Sequence, residues 1–146
     1  MSNSCTKRVS HSKVKVEENK RKAVFRNPNN VDYDVTTIDG CLVKEGIRSD
    51  FMVSEVGKIS VLIELKGKDV AHACDQLLAT VKRDNVRDLM EKRIGFLVIC
   101  RKLPRFDTFV AKAKQKCAKE LKAGFHVVCD KGEFDIEQVA SINGKL

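Results

Sequence analysis

The chain has 146 residues, of which 42% are hydrophobic and 33% charged, and carries a net charge of +8. A single chain of this length makes one domain and buries roughly two-thirds of its unfolded surface. The composition is that of a soluble globular protein, and no apolar run approaches the roughly 18 residues that a membrane span requires, so membrane insertion is excluded as an expectation.

In chain order, residues 1–24 read as a basic, partly disordered N-terminal segment and residues 25–146 as a single domain. The first 22 residues hold basic groups with no apolar stretch behind them, unlike a secretory signal, and a cytoplasmic location is the expectation. "VEENKRKAVF" (16–25) is expected to form a short helix before the Asn and Pro of "RNPNN" break it. "VDYDVTTI" (31–38) alternates and carries Val, Tyr and Thr, the pattern of a strand ending at the turn pair Asp39-Gly40. "CLV" (41–43), a turn at Glu45-Gly46, "IRSDFMV" (47–53), a turn at Gly57 and "ISVLIELK" (59–66) complete an expected antiparallel meander. After Gly67 the period changes. Val70, Ala73, Cys74, Leu77, Leu78 and Val81 recur at three and four residues, the spacing of an amphipathic helix, with Asp69 as its N-cap.

"IGFLVIC" (94–100) has the length of a buried strand, and "DTFVAKAKQKCAKELKAG" (107–124) that of a second helix, apolar at Phe109, Val110, Ala113, Cys117 and Leu121 and stopped by Gly124. "FHVVCD", a Lys131-Gly132 turn and "EFDI" are expected to form a final hairpin. Strands, helix, strand, helix, strand in that order predict an α/β domain, a mixed β-sheet flanked by helices.

The six cysteines include no pair at CxxC spacing, so neither a disulfide framework nor a zinc site is expected. Cys74, Cys100, Cys117 and Cys129 sit among apolar neighbours and read as small hydrophobes. The three histidines show no paired spacing for a structural metal. The charge is concentrated. Residues 1–26 and 101–122 each carry eight Lys/Arg against two acids, and the rest of the chain is net negative. Such clustering suits a polyanion partner, because each phosphate contact releases counterions and the field steers encounter.

The strand 59–66 holds two charges in an apolar run. Side chains alternate along a strand, so Val61, Ile63 and Leu65 face one way and Leu62, Glu64 and Lys66 the other. On the preceding strand Asp50, Met52 and Ser54 share the second face. A turn centred near Gly57 puts position 50 opposite position 64 or one register step from it. Two facing carboxylates are destabilising unless a cation lies between them: Lys66 would neutralise one, and a divalent ion would satisfy both.

"GIRSD" (46–50), "ELK" (64–66) and a following helix bearing Gln76 resemble the PD-(D/E)xK nuclease superfamily, closest to its RecB-like branch, over residues 46 to 80. That branch carries a Gly-x-x-x-Asp strand, an acid-x-Lys strand and a helix with a glutamine; its Tyr four residues after the glutamine is Thr80 here. The resemblance implies a restriction-endonuclease-like sheet and metal-dependent hydrolysis of phosphodiester bonds, most naturally in DNA.

Mg²⁺, with Mn²⁺ as a substitute, prefers hard oxygen ligands and keeps several waters, so one or two carboxylates plus phosphate oxygens suffice for it. Asp50, Glu64 and the Leu65 backbone carbonyl would be its ligands. Lys66 would orient the attacking water and stabilise the developing charge. Gln76 would approach substrate or the metal environment, and Glu17 or Glu18 is the candidate for a further acid.

Lys68 and His72 beside the acids, Arg101, Lys102 and Arg105 in the loop before the second helix, and Lys112, Lys116 and Lys119 on it, with Lys114 and Lys122, would contact the backbone of duplex DNA. One Tyr and no Trp leave little base stacking. A homodimer or a larger defence or repair complex is expected by analogy. Two alternatives stay open: a noncatalytic nucleic-acid-binding module in which Asp50, Glu64 and Lys66 are only an ion-pair network, and a nuclease subunit or effector that needs a partner.

Overall fold

A computed structural model describes residues 4–18, 21–46, 49–65, 70–101, 108–129, 131–144 and 146. Among the described residues a six-stranded sheet has the order β1 (Thr6–Val9), β4 (Tyr33–Thr37), β5 (Phe51–Glu55), β6 (Ile59–Leu65), β7 (Arg93–Cys100), β8 (Gly124–Cys129), and a smaller sheet the order β2 (Lys13–Glu18), β3 (Arg21–Arg26), β9 (Lys131–Phe134). In the larger sheet β1, β4, β5 and β6 are antiparallel neighbours, whereas β6, β7 and β8 run parallel. Parallel neighbours need a crossover, and α1 (Val70–Val81) and α3 (Thr108–Lys116) provide it. The fold is thus α/β, a mixed sheet flanked by helices. No helix among the described residues is long and apolar enough to cross a membrane.

Alternation along each strand separates two cores. Met52, Leu62, Phe96, Val98 and Phe125 pack under α1 and α3, against Val70, Ala73, Cys74, Leu77 and Val110. Val53, Val61, Ile63, Leu97 and Ile99 face the other way. They pack against β2 (Lys13–Glu18), β3 (Arg21–Arg26), β9 (Lys131–Phe134) and α4 (Ile136–Ala140) through Val14, Val16, Phe25, Phe134 and Val139. Each fully buried Leu or Ile contributes about 1.5–3 kcal/mol. The layers are therefore helices, six-stranded sheet, and three-stranded sheet with α4.

Several elements differ from the sequence expectation. The expected helix over 16–25 is an antiparallel hairpin of β2 and β3, with Val14 against Phe25 and Val16 against Ala23 facing inward. Burial of that apolar side against the larger sheet overrides the helix-forming Glu and Lys between. The expected strand over 41–43 is a tight loop, with one bridge from Asp39 to Val43. The final hairpin does not form: β9 leaves β8 and pairs in parallel with β3, and Ile136 begins α4.

The second helix ends in a π-helical turn, Cys117–Leu121, capped by Lys122 at φ 52°. Gly124 instead opens β8, where a Cβ would fall 2.4 Å from the Val139 carbonyl oxygen, so its role is close approach to α4. A short helix, α2 (Asp84–Arg87), is additional. Cys5 and Cys41 form a disulfide, contrary to expectation, with Cα atoms 5.7 Å apart. It ties the start of β1 to the loop after β4. Cys74, Cys100, Cys117 and Cys129 are free thiols, and the first three are buried. Burial pushes the Cys74 thiol up to about 11 and the Cys117 thiol up to about 12, which keeps them as inert core groups.

Candidate nucleophile-activating site at the end of strand β6

The turn at Gly57 fixes the register of β5 and β6, pairing Phe51 with Ile63, Met52 with Leu62 and Val53 with Val61. The paired register ends at Phe51 and Ile63; Asp50, one residue before β5, keeps its amide on the Ile63 carbonyl and so lies beside the end of β6 that carries Glu64, whose side chain shares the face of Leu62, covered by α1. Asp50 is 3% exposed and Glu64 0%. Around them lie Val98, the register partner of Glu64 on β7, and the apolar side of α1. An acid in such a place requires compensation from charge or hydrogen bonds.

Asp50 is held on three sides. Its amide donates to the Ile63 carbonyl at 3.2 Å, its carbonyl accepts from Ile38 at 2.9 Å and Asp39 at 3.3 Å, and its Oδ2 accepts the Leu65 amide at 2.7 Å. The carboxylate therefore sits at the C-terminal end of β6, against the main chain of Leu65. The N–H and C=O of one residue leave an extended strand on the same side, so the Leu65 carbonyl also leaves β6 toward Asp50.

The approach to Asp50 is fixed by α1. The Thr80 hydroxyl donates to the Gln76 carbonyl at 2.6 Å and accepts the Ser49 amide at 2.8 Å, and both Thr80 and Ser49 are fully buried. Gln76, one helical turn before Thr80, lies on the same side of α1, the side that meets residues 49–50. It is buried, at 8% exposure, which excludes an ordinary solvent-facing helix position. The loop before Ser49 is held by Arg83, which donates to the Glu45 carbonyl at 3.1 Å, and by Asn85, which donates to the Leu42 carbonyl at 2.9 Å. Gly46 has φ 83°, and a Cβ there would fall 2.5 Å from the Arg83 guanidinium, which accounts for the glycine four residues before Asp50.

In the sequence Thr80 stands out only as a departure from the Tyr of the superfamily that residues 46 to 80 resemble. Its position four residues after Gln76 was the available signal, since that spacing stacks the two on one helix face.

Lys66, Lys68, Lys102 and Arg105 lie outside the described residues, as does the expected N-cap Asp69. His72 is exposed on the outer side of α1. Arg101, Lys112, Lys114, Lys116, Lys119 and Lys122 are all exposed. Arg101 directly follows β7, at the end of the sheet that carries Glu64. α3 starts beyond the C-terminal end of β7 and runs back toward the start of β8, so its lysines recede from Glu64 along the helix. Lys116 lines a cavity of about 340 Å³ with Leu78, Lys82 and Ile94, at the opposite end of the sheet. Glu17 is exposed on β2 and Glu18 half-buried at its end.

Asp50, just before β5, and Glu64, near the end of β6, offer carboxylate oxygens, the donor type of a magnesium-like ion satisfied by one or two carboxylates and otherwise by water and phosphate. Among the described residues no group of three or more His, Cys, Asp or Glu comes together as a metal cage. Comparison with protein-family models, curated proteins and solved structures finds no match to the chain.

Proposed function

We propose that the protein is a metal-dependent nuclease that hydrolyses phosphodiester bonds, with DNA as the favoured substrate. The observation that carries this reading is that Asp50 and Glu64, both buried, lie at the same end of the β5–β6 pair, with Asp50 Oδ2 on the amide of Leu65, the residue after Glu64. It is supported by the order of elements around the pair: an antiparallel meander, a crossover helix bearing Gln76 and a parallel fourth strand. That is the order in which the PD-(D/E)xK resemblance sets its motifs.

Asp50, Glu64 and the Leu65 carbonyl would hold a divalent ion. Bound there, the ion would supply Lewis-acid polarisation of a phosphoryl oxygen and lower the pKa of a water. Asp50 and Glu64 would fix its position through strands that cannot shift without breaking both cores. Lys66 follows directly on Leu65, and its ammonium would orient the attacking water and stabilise the extra negative charge. Gln76 would bound the site from the α1 side. Thr80, through Ser49, keeps the main chain of Asp50 in place.

The Asp50 hydrogen bond to Leu65 also favours a second reading, in which Asp50 secures the end of the strand pair in a noncatalytic nucleic-acid-binding module. Incubation of plasmid and linear DNA with the protein and Mg²⁺ or Mn²⁺ separates the two. Cleavage that needs the metal and disappears in Glu64→Ala and Lys66→Ala is the expected result. Binding without cleavage in either metal, together with a Tm indifferent to Mg²⁺, would establish the second reading.

A further inference from the structure

The edges of the two sheets leave a groove of about 500 Å³ between β1 and β2. Lys7, His11, Lys13 and Lys15 line it, all of them exposed, over an apolar floor that includes Val9, Val14 and Val35. None of its described lining residues is acidic. Lys13 and Lys15 also border the adjoining face of β2, β3 and β9 with Lys22, so the positive surface continues around the edge of β2. On that face the described lining includes Glu133, 3.3 Å from the Lys13 ammonium.

The groove has a direction. It runs from the turn at His11 along β1 to Cys5 and Thr37. Thr37 accepts a register pairing with Phe51, the residue after Asp50, and its amide donates to the Cys5 carbonyl at 2.9 Å. The groove thus ends at the same end of the six-stranded sheet as the two acids, on the face opposite α1. The lysines of α3, by contrast, recede from that end.

We infer that the groove between β1 and β2 is a nucleic-acid track, in which Lys7, Lys13 and Lys15 hold the phosphate backbone and deliver it to the Asp50–Glu64 end of the sheet. The inference rests on the nucleic-acid part of the reading above but not on cleavage. Charge complementarity selects the occupant. Lys7 on β1 and Lys13 and Lys15 on β2 face one groove whose described lining holds no acid, Glu133 meeting Lys13 only from the adjoining face; such a row of ammonium groups matches regularly spaced phosphates, and the shallow apolar floor tolerates any sequence.

The test is fluorescence anisotropy with labelled oligonucleotides of about 20 nucleotides, single-stranded and duplex, in EDTA so that no cutting occurs. The combined variant Lys7→Gln, Lys13→Gln, Lys15→Gln should weaken binding about 10- to 100-fold at moderate salt and lower the slope of log K against log salt by about 2–3. The combined variant with Arg at the same three positions should bind like the wild type. In the unaltered protein, bound oligonucleotide should protect Lys7 and Lys15 from acylation, a readout that does not depend on how any variant folds.

Unchanged affinity and salt slope in the Gln variant, with Lys7 and Lys15 unprotected, would overturn the track and leave the nuclease reading standing. Binding lost in the Gln variant while Glu64→Ala binds normally but cuts nothing upholds both. A protein that binds phosphatidylserine vesicles through these lysines and no oligonucleotide overturns the track in favour of a lipid surface.

Discussion

On the side covered by the second sheet, β6 contributes Ile59, Val61, Ile63 and Leu65, all apolar and buried; on the side covered by α1 the same strand contributes Ser60, Leu62 and Glu64. β5 repeats the contrast, with Val53 on one side and Met52 and Ser54 on the other. The polar groups of the α1 side form cross-strand pairs. Ser54 and Ser60 share a hydrogen bond at 2.7 Å, and the Ser60 hydroxyl also accepts the Glu91 amide at 2.9 Å. Beyond Met52 and Leu62, at the same end of the strand pair, come the buried acids Asp50 and Glu64. A strand with one wholly apolar side is anchored by it, which frees the other side to bear groups that would otherwise destabilise the core.

The sharpest break in that contrast is expected at Glu64. Glu64→Gln keeps the volume and removes the charge, so metal-dependent cleavage should fall by at least about 10²–10³-fold while circular dichroism and cooperative unfolding persist. Cleavage at the wild-type rate in this variant would remove Glu64 from the chemistry.

Next in size, Leu97→Ala on the sheet-covered side should cost about 2–5 kcal/mol in denaturant unfolding, because Leu97 is fully buried and its neighbours on β6 and β8 cannot collapse onto the cavity. Its residual activity per folded molecule should match the wild type, in keeping with a side that supports without taking part.

Thr80→Val is a smaller and more pointed change. It keeps the shape of a fully buried side chain but strips the acceptor from the Ser49 amide, at about 1–3 kcal/mol. Thr80→Ser should restore both stability and cleavage. A Val variant as stable as the wild type would show that the approach to Asp50 is held by other contacts.

The smallest effect concerns His126, a polar group on the sheet-covered side. Its pKa is lowered by burial and, to a lesser degree, by Lys114, although the Ser141 carbonyl 3.2 Å from Nε2 partly opposes this. The unfolded state then binds more protons, so the stability it preserves is complete above about pH 6.5 and is lost as pH falls toward the depressed folded value. Replacement by Gln should flatten that acid limb of a stability–pH curve measured by urea unfolding.

The β4–β5–β6 strands and α1 were legible because each rests on local periodicity: alternation in 59–65, a three-and-four spacing in 70–81, and one short turn at Gly57 to set the register. Cys5 and Cys41 offered no such handle, since 36 positions separate them and only the path of the loop after β4 brings them together. The N-terminal strands were legible in part. "KVKV" at 13–16 alternates with period two, but charge outweighed pattern, and the sheet that buries Val14 and Val16 lies far along the chain. Gly124 reads equally as a helix stop and as a strand residue pressed against α4, and sequence distance conceals the second.

The parallel pairing of β3 with β9, Ala23 beside Gly132 and Phe25 beside Phe134, has a consequence for biogenesis. The β2–β3 hairpin leaves the ribosome about a hundred residues before its last neighbour, a wait of about 5–20 s at ordinary elongation rates. Throughout that interval Val24 and Phe25 lie on an open edge able to recruit another nascent chain. Lys22 and Arg26, at either end of that edge, place like charges there, the kind of residue that flanks and guards an open strand.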